Sequence, residues 1–78
     1  MNRYYIDVTV RNKAGVLNRI TSIFSRLSIN IHSLALSDAE AGYCAKISFG
    51  FSCTPKEKSI LVGRIGRVFD VYNIEATG

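Results

Sequence analysis

Residues 43–52 read YCAKISFGFS, and the architecture turns on which way their aromatic rings point. The segment alternates. Tyr43, Ala45, Ile47, Phe49 and Phe51 share one face; Cys44, Lys46, Ser48, Gly50 and Ser52 share the other. Period two is the signature of a β-strand. The first set can line an apolar core. The second cannot, because a buried polar group without a partner costs about 1–3 kcal/mol. Phe49 and Phe51 are therefore expected to point inward, beneath a covering layer.

The covering layer is visible upstream and downstream. Residues 3–11, RYYIDVTVR, form another alternating strand with Tyr4, Ile6, Val8 and Val10 on the buried face. In 16–27, VLNRITSIFSRL, the period changes: Val16, Leu17, Ile20, Ile23, Phe24 and Leu27 make one helical stripe. Residues 30–37, NIHSLALS, read as a strand and 38–42, DAEAG, as the turn after it. Thr54, Pro55 and Glu57 announce a second helix, as N-cap, first-turn proline and capping-box partner. Its apolar side is Ile60, Leu61, Ile65 and Val68, with Gly63 and Gly66 as interruptions that either allow close packing or weaken the helix. Residues 69–76, FDVYNIEA, supply a last strand. The order β-α-β-β-α-β predicts an α+β ferredoxin-like sandwich, a four-stranded antiparallel sheet with both helices on one face.

At 78 residues the chain is expected to be one domain, 1–78. A domain of that size buries only about 60% of its unfolded surface, so a subunit interface is expected. The unpaired sheet edges of the second and fourth strands suit a homodimer. Net charge is +4, but the ten basic residues form no block that would make a nucleic-acid arm. Cys44 and Cys53 lack metal or redox spacing and fall on opposite strand faces, as expected of two reduced thiols in a cytoplasmic protein. No run is long and apolar enough for a membrane span.

Catalysis is not encoded in any recognisable form. His32 is the sole histidine and has no nucleophile or carboxylate at ligand spacing. The six carboxylates are dispersed, and no phosphate-binding glycine loop or other cofactor motif occurs. Binding remains. RNA-recognition domains share the element order and carry outward aromatics on the first and third strands. Tyr5 and Phe49-Gly50-Phe51 invite that reading, but Ile47, Ser48 and Thr54 depart from the RNA motif, and outward rings would leave the core uncovered.

The stretch VRNKAGVLNRITSIFSRLSINIHSLAL (10–36) instead resembles the ACT domain, a small amino-acid-binding regulatory module. Gly15-Val16-Leu17, Arg19-Ile20 and Phe24 carry the likeness, and RVFDVYNIEA (67–76) resembles the end of the same domain. Among such modules the chain is most similar to the regulatory small subunit of acetolactate synthase, in its short single-domain form. The resemblance implies a non-catalytic subunit that partners a catalytic large subunit. It also implies a branched-chain, valine-like effector held at a dimer seam by Asn12, Gly15 and Asn30. The alternative is an ACT sensor acting alone or for another enzyme.

The chemistry of those residues fits. A helix start offers free N–H groups to a carboxylate, Gly15 admits close approach, and asparagine presents both donor and acceptor. Each also has a purely conformational use: Asn12 as a helix cap, Gly15 in packing, Asn30 at a positive φ after the helix. Ser28 stands where the resembled family has glycine. If that position requires positive φ, serine costs about 1 kcal/mol there.

Overall fold

The computed structural model describes residues 2–11, 13–38 and 44–77. Six elements follow in order: β1 (Asn2–Arg11), α1 (Lys13–Arg26), β2 (Ile31–Asp38), β3 (Cys44–Cys53), α2 (Pro55–Ile65) and β4 (Val71–Thr77). They form a four-stranded sheet in the order β2-β3-β1-β4, with every neighbouring pair antiparallel. The helices share one face, giving the expected ferredoxin-like sandwich. Asn12, residues 39–42 of the expected turn, and Tyr43 lie outside the described residues.

The inward faces are the ones that alternation assigned. Tyr4, Ile6, Val8 and Val10 on β1 face Phe51, Phe49, Ile47 and Ala45 on β3, pair by pair. All eight are buried, together with Val16, Ile20 and Phe24 of α1 and Leu61 and Ile65 of α2. Phe24 drops its ring between the two β3 phenyls, with centroids 5.1 Å from Phe49 and 5.2 Å from Phe51, the latter edge-on. That separation suits aromatic quadrupoles and adds about 0.5–1.5 kcal/mol per pair beyond area burial. With their rings in the core, Phe49 and Phe51 offer no stacking surface to a base. On the uncovered face Tyr5 lies over Gly50, where an added Cβ would sit 3.0 Å from the ring. Glycine there lets the tyrosine lie flat on the sheet. Beside it Ser48 donates to the Asp7 carboxylate at 2.7 Å.

Several boundaries differ from the sequence reading. Helix α1 starts at Lys13, so Gly15 occupies its first turn rather than a preceding loop. Gly66 is the C-cap of α2, and Val68 and Phe69 lie beyond the helix in the connection to β4. Gly63 is inside the helix, yet nothing lies within 4 Å of a Cβ added there, so close packing is not its reason. Ile60 is 40% exposed and contributes little to the core. The capping box forms as read: Thr54 Oγ1 accepts from the Glu57 N–H at 3.2 Å, and Glu57 Oε1 accepts from the Thr54 N–H at 2.9 Å.

The end of α1 resolves two expectations together. The Ile29 N–H bonds to the Phe24 carbonyl and the Ser28 N–H to the Ser25 carbonyl, both at 3.0 Å. This is the Schellman pattern, which places the intervening residue in the left-handed region. Ser28 occupies it, with φ 56°. The positive φ thus belongs to Ser28, not to Asn30. Ile29, the residue after it, is buried in the same core as Phe24, as the motif favours.

Two outcomes follow from this packing. Ser28→Gly should raise stability by about 1 kcal/mol, since glycine carries no Cβ penalty at positive φ. A higher urea midpoint at unchanged slope would register it. Cys53 is buried, and desolvation, then Glu57, push its thiol pKa up against a smaller opposing effect of Lys58. The thiolate is disfavoured in the folded state, so this contribution is complete below the ordinary thiol value of 9.0 and is lost as pH rises through the folded value. In a thiol titration at neutral pH, half-buried Cys44 should react in the native protein and Cys53 only after unfolding.

Candidate functional site

Gly15 opens onto a cleft of about 300 Å³ lined by Gly15, Val16, Arg19, Val68, Phe69 and Asp70. Its walls come from the first turns of α1 and from the α2–β4 connection. The connection is tied down by its backbone: the Arg11 N–H donates to the Asp70 carbonyl at 2.9 Å, and the Val71 N–H to the Val68 carbonyl at 3.1 Å. The Arg11 guanidinium donates to the Tyr72 hydroxyl at 3.3 Å. That hydrogen bond, followed by the charges of Tyr72 and Asp70, raises the Arg11 pKa further. The cleft therefore combines a cation at Arg19, an anion at Asp70 and apolar surface at Val16, Val68 and Phe69. Its volume sits at the small end of ligand sites.

Asn30 lies elsewhere. It lines a recess of about 130 Å³ with Ser28, Ile29, His32, Ser52 and Glu57. His32 Nε2 and Ser52 Oγ are 2.9 Å apart at its edge. His32 is the residue that the β2–β3 register skips, between the Ile31–Phe51 and Ser33–Gly50 pairs. The bulge turns its ring toward Ser52. Between Gly15 and Arg26 the helix alone advances about 16 Å. A single small amino acid cannot touch Gly15 and Asn30 of one chain.

Strand β2 is a sheet edge, and its helix-side residues are incompletely covered. Leu34 and Leu36 stand opposite Phe49 and Ile47, yet are 44% and 46% exposed. The opposite edge, β4, carries exposed Tyr72, Asn73 and Glu75.

Sequence reasoning did not bring Arg19, Val68, Phe69 and Asp70 to Gly15. It extended β4 back to Phe69, because a two-residue shift in strand start leaves the alternation unchanged. A register irregularity between Thr9 and Val10 also lets Val71 and Ile74, at odd spacing, both turn toward the core. Proximity of the Asp70 region to the end of β1 is a property of the sheet order and has no local sequence signal. No helix among the described residues is long and apolar enough to cross a membrane, and no group of three metal-ligating side chains gathers among them.

Comparison with known proteins agrees with the geometry. The chain is 28% identical over 74 residues to acetolactate synthase small subunit 1, chloroplastic, of Nicotiana plumbaginifolia, covering 95% of this chain and 16% of that protein. It is 41% identical over 44 residues to the acetolactate synthase small subunit of Bacillus subtilis (strain 168), covering 56% of this chain and 26% of that one. The chain thus spans about a quarter or less of the length of these relatives. In fold it superposes on the acetolactate synthase small subunit from Thermotoga maritima with a TM-score of 0.85 at 17% identity, over 97% of this chain and 47% of that structure. The profile of the AHAS small subunit-like ACT domain matches residues 6–73. The first-turn glycine and the inward β3 phenyls sit within that match, and the chain belongs to the AHAS small subunit-like ACT domain family.

Proposed function

We propose that the protein is a non-catalytic regulatory ACT module for acetolactate synthase, acting in branched-chain amino acid biosynthesis in the cytoplasm. A branched-chain, valine-like amino acid binds between two copies. Asn12 and Gly15 of one copy and Asn30 of the other contact it, and occupancy biases the catalytic large subunit between more and less active arrangements.

The observation that carries this reading is the separation of Gly15 from Asn30 by the length of α1. Residues that the family resemblance joins in one site must then come from different chains. A two-fold axis beside β2 would run the two β2 strands antiparallel and carry Asn30 of one copy toward the α1 start of the other. Leu34 and Leu36 supply apolar surface for that seam. Each buries about 25 cal/mol per Å² of apolar area removed from water, which favours a paired state. Gly15 leaves the first helical turn free of a side chain at the point where N–H groups and the positive end of the helix dipole suit an α-carboxylate.

Calorimetric titration with valine, leucine and isoleucine tests the sensing role. At least one should bind, and Asn30→Ala should weaken it at least ten-fold with unchanged stability. Absence of heat from all three, with a dimer intact by sedimentation, refutes amino-acid sensing. Co-purification with the acetolactate synthase catalytic subunit, or a change in its rate, tests the partner independently.

A further inference from the structure

The cleft at Gly15 continues along the helix layer. A second cleft of about 370 Å³ is lined by Asn18, Arg19, Ser22, Ile23, Arg26 and Val68, so the two share Arg19 and Val68 and form one groove between α1 and the α2–β4 connection. Its floor is apolar: Ile23 and Val68 are partly buried against the core. At its mouth Phe69 is 88% exposed, far more than any other large apolar side chain among the described residues. The ring covers none of the core. Together with Val68 and Ile23 it makes a continuous apolar surface, the kind that a partner side chain can cover.

Charge is distributed to match. The two helices and the α2–β4 connection carry Lys13, Arg19, Arg26, Lys56, Lys58, Arg64 and Arg67 against Glu57 and Asp70. The remaining charges, Arg3, Arg11 and Lys46 against Asp7, Asp38, Glu40 and Glu75, come to −1, so the chain's excess of positive charge belongs to the helix side. Glu57 is already engaged in its capping box. Arg19 and Arg26 have no side-chain hydrogen-bond or ion-pair partner among the described residues. A positive field over a groove attracts and orients an acidic partner.

We propose that this groove docks an acidic segment of a partner protein, with one apolar side chain of that segment packed against Phe69, Val68 and Ile23 and its carboxylates on Arg19 and Arg26. The identity of the partner as the catalytic subunit rests on the regulatory reading above. A second copy of this chain meeting the Arg19–Arg26 stretch with its own helix side would bring charge of the same sign, so its contact belongs to the Gly15 end. Nucleic acid fits less well, because a phosphate backbone brings no apolar side chain to the floor at Ile23 and Val68.

The test titrates the acetolactate synthase catalytic subunit of the same genome against three chains: wild type, Phe69→Ser, and the Arg19→Glu/Arg26→Glu double variant. Amino acid is omitted, two salt concentrations are used, and circular dichroism confirms folding. Each variant should bind at least ten-fold more weakly, and the double variant should lose most of the salt dependence seen for wild type. Wild-type affinity in both variants overturns the groove assignment and leaves the regulatory reading standing. A wild-type chain that binds no catalytic subunit overturns both. Salt-sensitive binding of single-stranded RNA that both variants lose reassigns the groove to nucleic acid and overturns the proposal.

Discussion

The contact of Phe24 with Phe49 and Phe51 constrains everything else in this molecule. Two phenyl rings two residues apart on a central strand must share a face, and a helix must then cover that face. Phe24 fixes where α1 crosses the strand, with ring separations just over 5 Å on both sides. Removing either strand ring would open a cavity costing about 3–5 kcal/mol, a large part of the stability of so small a domain. The same contact reserves the other sheet face for Tyr5, Asp7, Ser48 and Gly50, and sets the α1 start where the sheet ends.

Elements governed by periodicity were legible in the sequence. The inward set of β1, the helical stripe of α1 and the capping box at Thr54 each need only local spacing, and each is found where that spacing put it. Helix starts were less legible. Lys13, Ala14 and Gly15 precede the first stripe residue and reveal nothing by pattern, although they are helical. The left-handed turn at Ser28 was readable only through the glycine expected there, because serine itself does not advertise positive φ.

The candidate site was legible in part. Gly15 does open onto a cleft, and Asn30 does line a recess. What local pattern could not convey is that the α2–β4 connection folds back against Gly15. That depends on sheet order and on the irregularity of register at Tyr72. A bulge shifts every later side chain by one place, and nothing in the residue types announces it.

The unequal edges of the sheet have a consequence for assembly geometry. Joining β2 of one molecule to β4 of the next would repeat indefinitely and build a fibre, since each unit would always keep one free edge of each kind. That union would set Leu34 and Leu36 beside Val71, Ile74 and Ala76, the side of β4 that pairs with the inward residues of β1. Like against like at β2 matches leucine with leucine and leaves no further copy of that edge to continue. Which edge meets which is thus the difference between a closed object and an endless one.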